Sequence, residues 1–274
     1  MANEFGMIEV LITNAVKLPG VKVNRDEFLA KNFSKNVSQN QLAEIIEKGP
    51  INANIDKKII NKVAKKVISN RTMKSSSVSF AAGVPGGLAM AATIPADTAQ
   101  FFGMALRLSQ ELGYIYGYED FWDDDGLDVE KVNGDLVLFL GVMFGVGGAT
   151  ATIKVLSSQL SKEALKKLPN KALMKTFYYP IIKKIASYIG VKVTKDSFAK
   201  GISKVIPVVG GVVSGGLTFA SMTKMGNRLS KSLEENMNLS SEDVRKSFEE
   251  LKKNNPEIID VDFEELDNFD EIKI

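Results

Sequence analysis

The stretch Ser79–Tyr118, SFAAGVPGGLAMAATIPADTAQFFGMALRLSQELGYIYGY, decides how the chain is read. Between Lys74 and Asp97 about 22 residues carry no charge, the length a bilayer-spanning helix requires. The same residues are rich in Gly, Ala and Ser and include Pro85 and Pro95, which suits a close-packed helical interior or a cleft wall better than a span. Beyond Pro95 the pattern changes. Phe101, Ala105, Leu108, Leu112 and Ile115 recur three or four apart and predict one long helix.

Two more uncharged runs follow, Leu136–Ile153 and Val205–Thr223. Each of the three runs contains a Gly-x-x-x-Gly pair: Gly83 with Gly87, Gly141 with Gly145, and Gly211 with Gly215. On a helix that spacing leaves a flat stripe where a second backbone can approach. Glycine lowers helix stability by roughly 1 kcal/mol each, so the repetition implies a geometric need. Of the three, only Leu136–Ile153 is apolar enough to be weighed as a membrane span.

Amphipathic segments flank these runs. In VSQNQLAEIIEKG, residues 37–49, Ser38 is placed to cap a helix that Gly49 ends and Pro50 cannot continue. IDKKIINKVAKKVI, residues 55–68, sets Ile55, Ile59, Ile60, Val63, Val67 and Ile68 at helical spacing, with Lys57, Lys58, Lys62, Lys65 and Lys66 on the other side. Near the end, Ser240 and Asp243 fit a capping box that opens a terminal helix. No strand pattern outweighs these periodicities. The expected fold is all-α, a single helical domain with Gly/Ala-rich, closely packed central helices inside basic amphipathic ones. The boundaries expected are an N-terminal helical segment 1–54, a helical domain 55–253 and an acidic flexible tail 254–274.

Composition narrows the chemistry. The chain has 274 residues, 45% hydrophobic and 25% charged, so it can bury one substantial core. It contains neither Cys nor His, which excludes disulfides, thiolate or imidazole zinc sites, cysteine nucleophiles and every histidine base. The N-terminus has Glu4 and Glu9 where a secretory signal needs basic residues, so the expected location is cytoplasmic. Asp123–Gly126, DDDG, fails as a calcium loop because Phe121 and Val132 occupy ligand positions, and EDFWDDDGLDVEK is expected to be an acidic surface loop. GVGGAT and VVGGVVSGG lack the Lys-Ser or Lys-Thr of a phosphate loop. No metal and no cofactor is therefore expected.

Charge is the strongest functional signal. The formal net charge of +2 conceals a sharp asymmetry. Residues 17–74 hold 13 Lys or Arg against 5 acids, and residues 154–204 hold 12 Lys against 2 acids, whereas residues 254–274 hold 8 acids against one Lys. Basic amphipathic helices suit an anionic membrane surface. Lys57, Lys58, Lys62, Lys65, Lys66, Lys183 and Lys184 are the expected contacts. Specific nucleic-acid binding is not expected, because arginine is scarce and no recognition motif is present. The plainer alternative, solvated faces of surface helices, stays open. The tail alternates acids with apolar residues and could fold back on the basic helices.

On the helix after Pro95, Asp97, Gln100, Arg107 and Glu111 fall close to one stripe, with Gln110 beside it and Tyr116 at its end. These six form the candidate polar pocket. The bland alternative is a cap at Asp97 and an Arg107–Glu111 pair across one turn.

The combination PGGLAMAATIPADTAQFFGMALRLSQELGYIYGY with the later KVIPVVGGVVSGGLTFASMTKMGNRL resembles the bacterial EcsC family. The resemblance covers roughly residues 55–235 and rests most on Arg107, Gln110, Glu111, Tyr116 and Gly117. It implies a bacterial, cytoplasmic or membrane-associated helical protein, linked by the family's name to an ABC-transporter operon, and it implies no reaction. The leading expectation is thus a non-enzymatic protein peripheral to the inner membrane, contacting anionic lipid or a membrane complex such as an ABC transporter. Two alternatives remain: a soluble binding protein holding a lipid or small anion at the Asp97/Arg107/Glu111 face, and a carboxylate-based, metal-dependent enzyme.

Overall fold

A computed structural model describes residues 18–75, 96–123, 126–127, 135–157 and 215–254, and the following concerns those residues. They form eight helices: α1 (Arg25–Phe33), α2 (Gln39–Asn52), α3 (Lys57–Ser75), α4 (Ala96–Ile115), α5 (Val137–Phe144), α6 (Ala149–Ser157), α7 (Gly215–Asn236) and α8 (Ser241–Asn254). The all-α expectation holds. The one addition is a two-residue antiparallel ladder pairing Trp122 with Leu127 and Asp123 with Gly126.

Local chemistry sets most helix ends. At α2, Ser38 Oγ accepts from the Gln41 N–H while Gln41 Oε1 accepts from the Ser38 N–H, a complete capping box. The regular part of α2 breaks at Gly49, whose φ of 82° is non-helical, and a last turn restarts at Pro50. Ser240 and Asp243 form the same reciprocal pair before α8. The carboxylate of Asp243 titrates below its ordinary range, first because the Ser240 hydroxyl donates to it.

One apolar core runs through the helices. α7 packs on α3, α4 and α5, α8 packs on α6, and α1 packs on α2 and α4. Val21, Val23, Phe28, Leu29, Phe33 and Ile45 belong to the same buried cluster as Ile60, Leu108, Phe139 and Leu229. Residues 18–54 therefore share the core of the helices that follow, and the described residues show no separate N-terminal unit.

The run Leu136–Ile153 is not one helix. All eight residues of α5 are buried, as expected for a helix apolar on every side. Gly145 then takes the left-handed conformation at φ 75°, with Gly145 N–H bonded to the Val142 carbonyl and Val146 N–H to the Gly141 carbonyl. This Schellman geometry ends α5, and the chain restarts as α6. The expected Gly141–Gly145 stripe is corrected by it: Gly145 lies beyond the helix, and a Cβ there would sit 2.8 Å from Arg228 Nη1. Arg228 Nη1 donates to the Met143 carbonyl at 2.7 Å and closes the same helix end. No described helix is long and apolar enough to cross a membrane.

Close helix crossings use other glycines. A Cβ on Gly113 would lie 3.0 Å from Phe139, and one on Gly226 would lie 3.1 Å from Leu108. The acidic segment after α4 is likewise more than a solvated loop, since Phe121 is buried and packs edge-on against Phe139. Gly215 opens α7, while Gly83, Gly87, Gly211 and the acidic tail beyond Asn254 lie outside the described residues.

Candidate functional site

The polar row of α4 is the organising feature of the site. Glu111 has no solvent exposure, which demands compensation for a carboxylate. Arg71, on α3, supplies it: its Nε donates to Oε1 and Oε2 at 2.8 and 2.7 Å, and its Nη2 also donates to Oε1. Arg107, one turn before Glu111, adds Nε to Oε1 at 3.1 Å. The Arg107 Nη1 donates to the Gly20 carbonyl, which brings the chain before α1 against α4. Two guanidinium groups thus enclose one carboxylate, and their side chains keep 31% and 28% of their exposure.

Gln110 completes this junction. It is fully buried, and its Nε2 donates to the carbonyls of Val21 and Leu106, both at 3.0 Å. Its Oε1 accepts from the Val23 N–H at 3.2 Å and from Trp122 Nε1 at 2.9 Å. Both donors and both acceptor positions of the amide are used. A turn further on, the Tyr114 hydroxyl donates to Asp120 Oδ1 at 2.8 Å, and burial raises that phenol well above its ordinary range.

Tyr116 faces a different neighbour. Its hydroxyl lies 3.1 Å from Asn61 Oδ1 and 2.8 Å from Ser230 Oγ, joining α4 to α3 and α7. Desolvation pushes its pKa up to about 12. Asn61 Nδ2 in turn donates to Glu234 at 2.7 Å, and this bond is the main cause holding that carboxylate below its ordinary range. Gly117, at φ 84°, ends α4 with a second Schellman turn in which Tyr118 N–H bonds the Gly113 carbonyl.

Of the six residues expected at the pocket, the structure brings Arg107, Gln110 and Glu111 together and turns Tyr116 toward α7. Asp97 and Gln100 lie in the first part of α4, with their side chains outside the described residues. Arg71, Val21, Val23 and Trp122 complete the site and were not singled out in the sequence. A cavity of about 350 Å³ opens beside the triad between α1, α3 and α4. Its apolar wall is Val23, Phe28 and Val67, and its charged lining is Lys22, Lys31, Arg71 and Arg107 against Glu27 and Glu111. Among the described residues no group of three or more Asp and Glu side chains converges to hold a metal ion.

The basic face of α3 lies on the outside. Lys58, Lys62, Lys65 and Lys66 are exposed and make no ion pair among the described residues, whereas Lys57 pairs with Glu234 at 3.3 Å. The helix carries seven basic residues and no acid. Lys183 and Lys184 lie outside the described residues. Comparison with models of known families, with curated proteins and with solved structures finds no match. The functional reading therefore rests on geometry and charge.

Proposed function

We propose that the chain is a non-enzymatic, EcsC-like bacterial protein that sits on the inner face of the membrane and meets anionic lipid, or a membrane complex such as an ABC transporter, through α3. The observation that carries this reading is the row Lys58, Lys62, Lys65 and Lys66, exposed on a helix whose opposite side is fixed in the core by Ile60, Val63, Val67 and Ile68. A helix anchored in this way presents its charges without an ordering cost at the surface. At about 1 kcal/mol per lysine near an anionic leaflet, the four supply about 4 kcal/mol, enough for reversible docking. Insertion of a span has no support among the described helices.

Two features support the rest of the reading. The residues that carry the EcsC resemblance have tertiary roles: Arg107 and Glu111 in the triad, Gln110 in the junction, Tyr116 between helices and Gly117 at the helix end. The buried carboxylate has both oxygens occupied by guanidinium groups, an arrangement that holds helices together and leaves no base poised for proton transfer. The test is vesicle sedimentation of the full chain against K58Q/K62Q/K65Q/K66Q. At least a tenfold loss of affinity for phosphatidylglycerol vesicles is expected in the variant. Equal affinity would end the proposal.

A further inference from the structure

The cavity beside the triad has its own charge logic, independent of the lysine row on the outer face of α3. Four cations line it, Lys22, Lys31, Arg71 and Arg107, against the carboxylates of Glu27 and Glu111, which leaves a formal excess of two positive charges. The excess is structural in origin. Glu111 is fully buried and takes two guanidinium partners, so the triad itself carries one net positive charge at the cavity wall.

The cations are also arranged to receive a ligand. Arg107 is held by Nε on Glu111 and by Nη1 on Gly20, while its Nη2 makes no hydrogen bond among the described residues. A guanidinium fixed at two points loses little freedom when it binds, so its remaining donor is preorganised. Lys22 lies 4.9 Å from the centre of the Trp122 ring, a contact that steadies its ammonium at the rim without neutralising it. Lys31 is exposed and makes no ion pair among the described residues. Val23, Phe28 and Val67 give the cavity an apolar wall, and its volume of about 350 Å³ is that of a small-molecule site.

We infer that this cavity binds a phosphate monoester, whose charge of nearly −2 at neutral pH matches the excess of two. Arg107 provides a directed donor, Lys22 and Lys31 supply charge from the rim, and the apolar wall accepts the carbon portion of the ester. Such a group is borne by a free metabolite-sized phosphate or by the headgroup of a phosphatidate lipid.

Calorimetric titration of the full chain with glycerol 3-phosphate and with water-soluble dihexanoyl phosphatidate tests the inference. Saturable, stoichiometric binding of at least one probe is expected. The rim variant K22Q/K31Q should weaken it by about tenfold without changing thermal stability, because both side chains are exposed. The α3 variant K58Q/K62Q/K65Q/K66Q should bind the same probe as the wild type does. Tighter binding of dihexanoyl phosphatidate than of glycerol 3-phosphate assigns the site to a lipid headgroup, and equal binding assigns it to a free phosphate ester. Absence of binding by both probes, or affinity unchanged in K22Q/K31Q, would overturn the inference. So would a loss confined to the α3 variant, which would place the phosphate on the outer lysine face. Since vesicle docking is scored on a different variant, either proposal can fail without the other.

Discussion

Arg71 and Glu111 stand 40 residues apart in the chain and meet as a forked pair, with Arg71 Nε within 2.8 Å of both carboxylate oxygens. The contact ties α3 to α4 at a point where the carboxylate has no water to solvate it. Glu111→Gln should therefore cost about 3 kcal/mol in urea unfolding, since it leaves two arginines without their counter-charge. Arg71→Lys should recover only part of that stability, because an ammonium cannot reproduce the fork. A loss below 0.5 kcal/mol for Glu111→Gln would show that the triad does not hold these helices.

Gln110→Leu keeps the volume and removes all four hydrogen bonds of the buried amide. At about 1–3 kcal/mol for each buried group left unpaired, the substitution should cost several kcal/mol, with the Val23 N–H and the Val21 carbonyl the main contributors. Trp122, the only tryptophan, loses its Nε1 acceptor and reports on the same junction. Its emission should change in the folded variant, and unchanged emission with unchanged stability would contradict the four-bond description.

Gly145 and Gly147 offer a matched pair. Gly145→Ala places a Cβ at a left-handed residue and 2.8 Å from Arg228, and should lower stability by about 1–2 kcal/mol. Gly147→Ala meets nothing within 4 Å and should be close to neutral. Thermal unfolding of both variants reads the difference directly, and equal effects would argue that α5 does not end at Gly145.

Tyr116 gives a pH dependence with a definite sign. Its folded pKa, pushed up to about 12, lies above the ordinary value near 10, so its contribution is complete below pH 10 and is lost as pH rises toward 12. Tyr116→Phe should lower stability at pH 7 by about 1 kcal/mol through the lost bonds to Asn61 and Ser230. It should also flatten the fall in stability between pH 10 and 12, with Tyr114, likewise raised, retaining part of that fall. An alkaline profile identical to that of the wild type would contradict the assignment.

What could be read in the sequence follows the range of each interaction. The capping boxes at Ser38 and Ser240 were legible because their partners lie three residues away. The Arg107–Glu111 pair was legible for the same reason, as one helical turn joins them. Arg71 was not, because its role depends on how α3 crosses α4 and no local pattern encodes that crossing. The Val21–Val23 clamp on Gln110 spans nearly 90 residues and was equally hidden. Gly145 was misassigned for a physical reason: helix packing and helix termination both favour glycine. The cue that separates them was present in Gly145-Val146-Gly147-Gly148, where glycine recurs too densely for a helix to continue. Phe121 was discounted as part of an acidic loop, and only the fold reveals that it fills the space left by Gly113.

The account centres on an exposed lysine row docking on an anionic surface while the apolar runs remain inside the fold. Sedimentation of the purified chain with anionic and with neutral vesicles, at low and at high salt, tests this most directly. Binding to anionic vesicles alone, abolished by salt, is the predicted result, since screening shortens the reach of surface charge to about 3 Å at 1 M. Binding that survives high salt, or that is equal on neutral vesicles, would contradict the account and assign the contact to apolar segments, and failure to bind either vesicle would remove the membrane surface as the partner.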